Sequence, residues 1–341
     1  MKRIAVTGAG GYIGTQLVKD LLNEGFEVLA IDRFFFGMET MKDVKNHQQL
    51  TILKKDIRDL EVSDLKNVYG VCDLACLSND PAGEIDPLLT YSINRDGRIR
   101  VAKIAKSAGV AKYIISSSCS VYGSAKENSL NEDSPTNPVS VYAKSTLEAE
   151  QNNLELSNND FSVFALRNAT VFGISNRMRF DLVVNLMTLT AFQKNLIIIM
   201  GGGNQWRPLV HVSDVSQAFI NVLKNPIIKT SQNIFNVGLS NFQIKNIAYK
   251  VKELLPINVD IEIAPDDPDK RNYNVDFTKA ENVLNFKPKI KLEEGILEIY
   301  KALNSGLVDT GLKTSTVKWY QNIIQAKELL DSVELNGRIL N

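Results

Sequence analysis

The sequence predicts an α/β fold: a doubly wound parallel sheet with helices on both faces, joined by a smaller mixed α/β lobe. Three observations carry that expectation. Short apolar runs alternate with helix-period segments through the first half of the chain. The strand runs are rich in Val and Ile rather than alternating with polar residues, as strands buried on both faces are. A glycine-rich turn separates the first strand from the first helix. Strands are expected over 2–7, 27–31, 50–54, 71–77, 112–117 and 161–167, and helices over 11–24, 86–108 and 140–158. In the long helix 86–108, Leu88, Leu89, Ile93, Ile99, Val101, Ile104 and Ala105 mark the apolar positions.

After about residue 170 the pattern changes. Short strands over 196–200, 209–212, 234–237 and 259–263 mix with helices over about 180–194, 213–224, 243–254 and 292–304. We expect a cofactor domain over 1–175 with returning segments from about 205–240. A substrate-facing lobe then covers 176–310, and a helical extension 311–341, its helix over about 315–333. The formal net charge is zero and no basic stripe is present, so a nucleic-acid partner is not expected. No apolar run is long enough to span a bilayer. Three cysteines, an odd number, do not make a disulfide framework. Cys72 and Cys76 lie in a strand-like run without a second Cys/His pair and do not suggest a metal site. The N-terminal residues run straight into the glycine turn without a signal-peptide pattern, so the cytoplasm is the expected compartment.

Thr7-Gly8-Ala9-Gly10-Gly11-Tyr12-Ile13-Gly14 ends strand one and opens helix one. In that context the glycines have separate tasks: Gly8 turns the chain, Gly11 lets backbone approach a pyrophosphate, and Gly14 allows close helix–strand packing. The helix N-terminus offers N–H groups and a positive dipole end to the phosphates. Asp32, at the end of strand two, can accept hydrogen bonds from an adenosine ribose, which favours NAD. Arg33 beside it would instead suit the 2′-phosphate of NADP.

Thr-Gly-x-x-Gly-x-x-Gly resembles the cofactor signature of the extended short-chain dehydrogenase/reductases, the family of the nucleotide-sugar epimerases and dehydratases, including UDP-glucose 4-epimerase. The resemblance runs to about residue 304 and implies a Rossmann-type fold binding NAD. It implies that Tyr12, Ile13, Asp56, Ile57 and the segment Leu74-Ala75-Cys76-Leu77-Ser78 face the cofactor, and that Asn94 matches the family's helix asparagine. Ser116-Ser117-Ser118-Cys119-Ser120-Val121-Tyr122-Gly123 matches the strand-five signature.

The same resemblance implies oxidation at C4 of a nucleotide-activated sugar. Tyr142 would be the base and Ser118 the anchor of the hydroxyl, with Ser120 also facing substrate. An unperturbed tyrosine titrates near 10, so a base of this kind needs nearby positive charge. The family's lysine four residues after the tyrosine is absent; Thr146 stands there. Lys144 lies on another helix face and does not replace it. Three readings stay open: a chain inactivated by substitution, a natural member with slowed chemistry, or a protein that binds NAD and sugar without turnover. An NADPH-linked keto-sugar reductase is a further alternative, motivated by Arg33.

Cys119-Ser120 occupies the positions where the family's 4,6-dehydratases carry an Asp–Glu pair, so that dehydration is not expected. Cys119 also sits one position away from the proton-transfer cysteine of the 3,5-epimerising members. Asn185, Arg207 and Arg271 resemble the residues that hold the nucleotide diphosphate of a UDP-, GDP- or dTDP-sugar. Guanidinium forks suit phosphate oxygens. Arg177 and Arg179 lie in a segment reminiscent of GDP-heptose C4 oxidoreductases, and two readings stay open for them: contacts to phosphate, or solvated surface charges. His211 reads as structural. The helices over 86–108 and 140–158 resemble the family's dimerisation pair, so a homodimer is expected.

Overall fold

The computed structural model describes residues 1–124, 129–225, 233–265 and 271–339. Its strands are β1 (Arg3–Thr7), β2 (Glu27–Asp32), β3 (Leu50–Lys54), β4 (Gly70–Asp73), β5 (Lys112–Ser118), β6 (Ser162–Asn168), β7 (Thr170–Phe172), β8 (Leu196–Met200), β9 (Trp206–His211), β10 (Ile234–Val237), β11 (Ser240–Gln243) and β12 (Asp260–Ala264). The helices are α1 (Tyr12–Asn23), α2 (Asp80–Gly83), α3 (Pro87–Tyr91), α4 (Arg98–Ser107), α5 (Val141–Leu154), α6 (Val183–Lys194), α7 (Val212–Lys224), α8 (Ile244–Leu254), α9 (Thr278–Leu284), α10 (Leu292–Asn304) and α11 (Thr316–Val333).

Seven strands form one sheet in the order β10-β6-β5-β4-β1-β2-β3, each pair parallel. The expected Rossmann-type sheet is therefore present, with the strand order reversing between β1 and β4. Alternate residues of β1 show why both faces fill. Ile4 and Val6 join the core that packs on α1 and α7, and Ala5 joins the core under α4 and α5. In an open parallel sheet, ligands bind outside the carboxyl ends of the strands at such a reversal. The remaining strands form a three-stranded sheet, β11-β9-β7, and a two-stranded one, β12-β8, packed with α6, α8 and α10.

Two expectations need correction. The helix expected over 86–108 is interrupted: α3 gives way to a π-helical turn, Ser92–Gly97, before α4 begins. A widened turn of this kind is invisible to a 3.6-residue period. It carries Asn94, whose amide bonds both the N–H of Leu77 (2.8 Å) and its carbonyl (3.1 Å). The strand expected over 71–77 ends at Asp73. There the Thr7 hydroxyl donates to the Asp73 carboxylate (2.5 Å) and accepts from the N–H groups of Leu74 and Ala75, turning the chain out of the sheet.

Asp73 is the centre of a fully buried network. Arg98 pairs with it at 2.9 Å, both side chains being 0% exposed, and the Tyr113 hydroxyl donates to it at 2.6 Å. Arg98 also donates to the carbonyls of Asp73 and Ser116. Breaking one partner of such a pair strands the other charge in low dielectric and costs about 3–5 kcal/mol. Arg98→Ala is therefore expected to lower the urea midpoint sharply, whereas Asp73→Asn with Arg98→Met recovers much of the loss. Equal losses in the single and double variants would contradict this account.

Candidate cofactor and substrate site

A cavity of about 800 Å³ opens at the carboxyl ends of β1 and β4 and extends to the small sheets. Its floor begins at the glycine turn. Gly8 has φ +68°, and a Cβ there would stand 2.8 Å from the backbone of Leu74 and Ala75. A Cβ on Gly14 would stand 2.1 Å from the Gly8 carbonyl oxygen. Both positions thus admit no side chain, and they bring β1, α1 and the end of β4 together. No side chain caps α1, so its first N–H groups are left for an anion.

Asp32 lies at the next edge. Its carboxylate accepts from the N–H groups of Gly10 (2.9 Å) and Phe34 (2.5 Å). Burial nonetheless raises its pKa above the ordinary carboxylate value. Arg33 donates to Asp56 (3.1 Å) and lies over the Phe35 ring. Asp56 also receives Arg58, whose bonds hold its pKa down at about 2. Arg33 is therefore already engaged by a carboxylate.

On the opposite wall, Tyr142 and Ser118 line the cavity together. Burial, and then the charges of Cys76 and Asp80, push the Tyr142 pKa well up; the neighbouring Ser118 and Arg98 oppose this. At the far end, Arg271 pairs with Asp80 at 2.5 Å, and Arg207 donates to the carbonyls of Trp206 and Arg271.

Of the residues singled out in the sequence, Gly8, Gly11, Tyr12, Ile13, Gly14, Asp32, Arg33, Asp56, Ile57, Leu74, Ala75, Cys76 and Ser78 line this one cavity. So do Ser118, Tyr142, Arg207 and Arg271. Four do not. Asn94 is spent on Leu77. Asn185 is fully buried and bonds the N–H of Gly173, the Tyr12 hydroxyl and the carbonyl of Arg179. The hydroxyls of Ser120 and Thr146 are buried without a hydrogen-bond partner. Cys119 is buried too, its thiol donating to the Arg167 carbonyl and its pKa pushed up by desolvation. His211 bonds Glu298 and caps α7, a structural role.

A model of the NAD dependent epimerase/dehydratase family matches residues 4–238, more than half of the chain. The chain belongs to that family. UDP-glucuronic acid decarboxylase 1 of Arabidopsis thaliana is 28% identical, the match covering 86% of this chain and 68% of that protein. UDP-glucose 4-epimerase of Mycolicibacterium smegmatis is 29% identical over 86% of this chain and 96% of its own length. The structure of MoeE5 in complex with UDP-glucuronic acid and NAD superposes with a TM-score of 0.79 at 27% identity, covering 89% of this chain and 99% of that one.

As a member of an NAD-dependent family, the chain has NAD as its cofactor, and the residues present fit it. Gly8 and Gly14 form a cradle that any side chain would fill, the first turn of α1 is uncapped, and Asp32 lines the same cavity at the end of β2.

The sequence gave no signal for the end wall of the cavity. Phe35 and Phe36 follow β2, and Val317 and Tyr320 come from α11, beyond the part matched by the family. The Trp319 indole donates to the Phe35 carbonyl at 2.7 Å, which docks α11 against the loop after β2. No helix among the described residues is long and apolar enough to cross a membrane.

Because burial raises the Asp32 pKa, its acceptor form is lost at a higher pH than for an ordinary carboxylate. NAD affinity is expected to weaken as pH falls toward that raised pKa. Asp32→Asn should bind NAD about tenfold more weakly near neutrality and lose the pH dependence. Calorimetric titration across pH checks both; an unchanged dependence in the variant would exclude Asp32 as the ribose acceptor.

Proposed function

We propose that this enzyme oxidises C4 of a UDP-linked sugar, with Tyr142 as base and Ser118 as the anchor of the reacting hydroxyl, and returns the hydrogen to the opposite face. The observation that carries the reading is that Tyr142 and Ser118 line the same cavity that begins at the glycine turn. NAD, when bound, supplies the hydride acceptor and a positive ring. Ser118 holds the sugar hydroxyl while Tyr142 takes its proton, a role that general-base catalysis assigns to a group within hydrogen-bond reach. Arg207 and Arg271 offer charge-assisted bonds to the nucleotide diphosphate. The choice of UDP follows the relatives, which act on or bind UDP-sugars by name.

Without its ligands, the chain keeps Tyr142 protonated, since burial dominates and the added cation of a lysine at position 146 is missing. Thr146 favours a second reading, in which the protein binds NAD and nucleotide sugar without turnover. It is buried, its hydroxyl has no partner, and it does not line the cavity. The NADPH-linked alternative has less support, since Arg33 is held by Asp56. A homodimer built on α3, α4 and α5 belongs to the same proposal; Leu88 stands 84% exposed on α3.

Tyr142→Phe is expected to cut turnover of a UDP-sugar by about 10²–10⁴-fold with sugar binding kept. In the unaltered enzyme, activity should rise with pH into the alkaline range, because the base form of Tyr142 is disfavoured. Thr146→Lys adds a cation one turn away and should move that rise to lower pH. Assays of both chains against UDP-, GDP- and dTDP-sugars with product identification by NMR decide between the readings. If neither chain reacts while both bind cofactor and sugar, the binding-protein reading stands.

A further inference from the structure

The chain from Gly173 to Asp181 is pinned against the first turn of α1. The Tyr12 hydroxyl donates to the Gly173 carbonyl (2.7 Å), and the Ser175 hydroxyl bonds both the Tyr12 carbonyl and the Thr15 hydroxyl at 2.7 Å. This segment carries two buried arginines into the cavity wall. Arg179 is neutralised: it pairs with Asp181 at 2.9 Å and donates to Ser78. Arg177 is not. It is 4% exposed, lies 3.7 Å from the Phe36 ring centroid, donates to the Thr316 hydroxyl (2.8 Å), and its Nε is buried without a partner. Among the described residues it makes no ion pair; burial followed by the charge of Arg179 lowers its pKa to about 9, and the charge of Asp181, already paired with Arg179, opposes this.

A desolvated guanidinium with no ion pair of its own and an unpartnered Nε is costly in the free protein and suits a site that receives an anion. Its neighbours specify which anion. Arg177 packs on Phe36, which follows the strand ending at Asp32, and its segment is pinned to Tyr12, the residue whose N–H opens α1. We propose that Arg177 binds the pyrophosphate of the dinucleotide from the side facing the glycine turn, and that residues 312–320 form the strap that holds it there. The strap is anchored by Thr316 on Arg177, by the Thr316 N–H on Asp181 (3.2 Å), and by Trp319 on Phe35. The cofactor site thus includes a segment beyond the region matched by the family, residues 4–238. This inference rests on the reading of the cavity as an NAD site.

Binding of NAD, ADP-ribose and adenosine to the full chain tests it, with thermal melting of the ligand-free protein as the check on folding. Arg177→Met is expected to weaken NAD and ADP-ribose alike, by about 10- to 100-fold, and to leave adenosine unchanged. The ligand-free variant loses the bond to Thr316 and the contact with Phe36, so a lower melting temperature alone does not bear on the proposal; the weaker binding of NAD and ADP-ribose with adenosine unchanged does. Arg177→Lys, which keeps the charge but not the fork, should be intermediate, and it decides the matter where Arg177→Met fails to fold. Unchanged NAD affinity in both variants overturns the proposal. So does a loss confined to UDP-glucuronic acid relative to UDP-glucose, which would assign Arg177 to a sugar carboxylate. An unaltered chain that binds neither NAD nor ADP-ribose would instead overturn the cofactor reading itself.

Discussion

The buried bond between Asp73 and Arg98 is the constraint on which the rest of the structure depends. It sits where the strand order reverses, and it gathers β1 through Thr7, β4 through Asp73, β5 through Tyr113 and the Ser116 carbonyl, and α4 through Arg98. Two consequences follow from one network. The chain leaves β4 at Asp73, so that Leu74 and Ala75 are free to pack on Gly8. Arg98 also sets a positive charge close enough to Tyr142 to oppose, in part, the effect of burial. Structural ion pairs of this kind add little stability over an apolar equivalent, but they fix geometry once formed. Here the geometry fixed is the crevice in which a dinucleotide lies.

Around that crevice the charges divide into two kinds. Arg33, Arg179 and Arg271 each have a carboxylate partner, Asp56, Asp181 and Asp80 respectively. Arg177 has none. A site whose cations are mostly neutralised from within discriminates by shape and hydrogen bonding. A buried cation without an ion pair of its own also draws an anion to its place. The α11 strap makes that arrangement rigid, since Phe35, Phe36 and Tyr320 pack as an aromatic cluster behind the guanidinium.

Much of this was legible in the sequence, for physical reasons. The inner strands of the parallel sheet are short, buried, apolar runs, and most of the strands follow a simple strand–helix alternation, so the sheet could be read directly. The glycine turn, Asp32, Ser118 and Tyr142 are local motifs, and they meet in one cavity. What was missed depends on distance or on irregular backbone. β7 and β11 are only three and four residues long, too short to show a period. The π turn at Ser92–Gly97 is a change in helix width rather than in residue type. Asn94 and Asn185 carry the right chemistry, but their amides are used by backbone groups of Leu77 and Gly173, a partnership that only the folded chain reveals. The end wall joins Arg177 to Thr316, residues far apart in sequence with no shared motif.

Chemically, the account turns on Tyr142: a base that its own protein holds in the protonated state until charge arrives with the ligands. The most direct test is to supply the UDP-sugar with deuterium at C4 and to follow both the nicotinamide absorbance and the label. The account predicts that deuterium leaves C4, appears transiently on the cofactor, and returns to the sugar in the inverted product, slowly but measurably. Cofactor and sugar that both bind tightly, with no label ever leaving C4 of any nucleotide sugar at any pH, would contradict it.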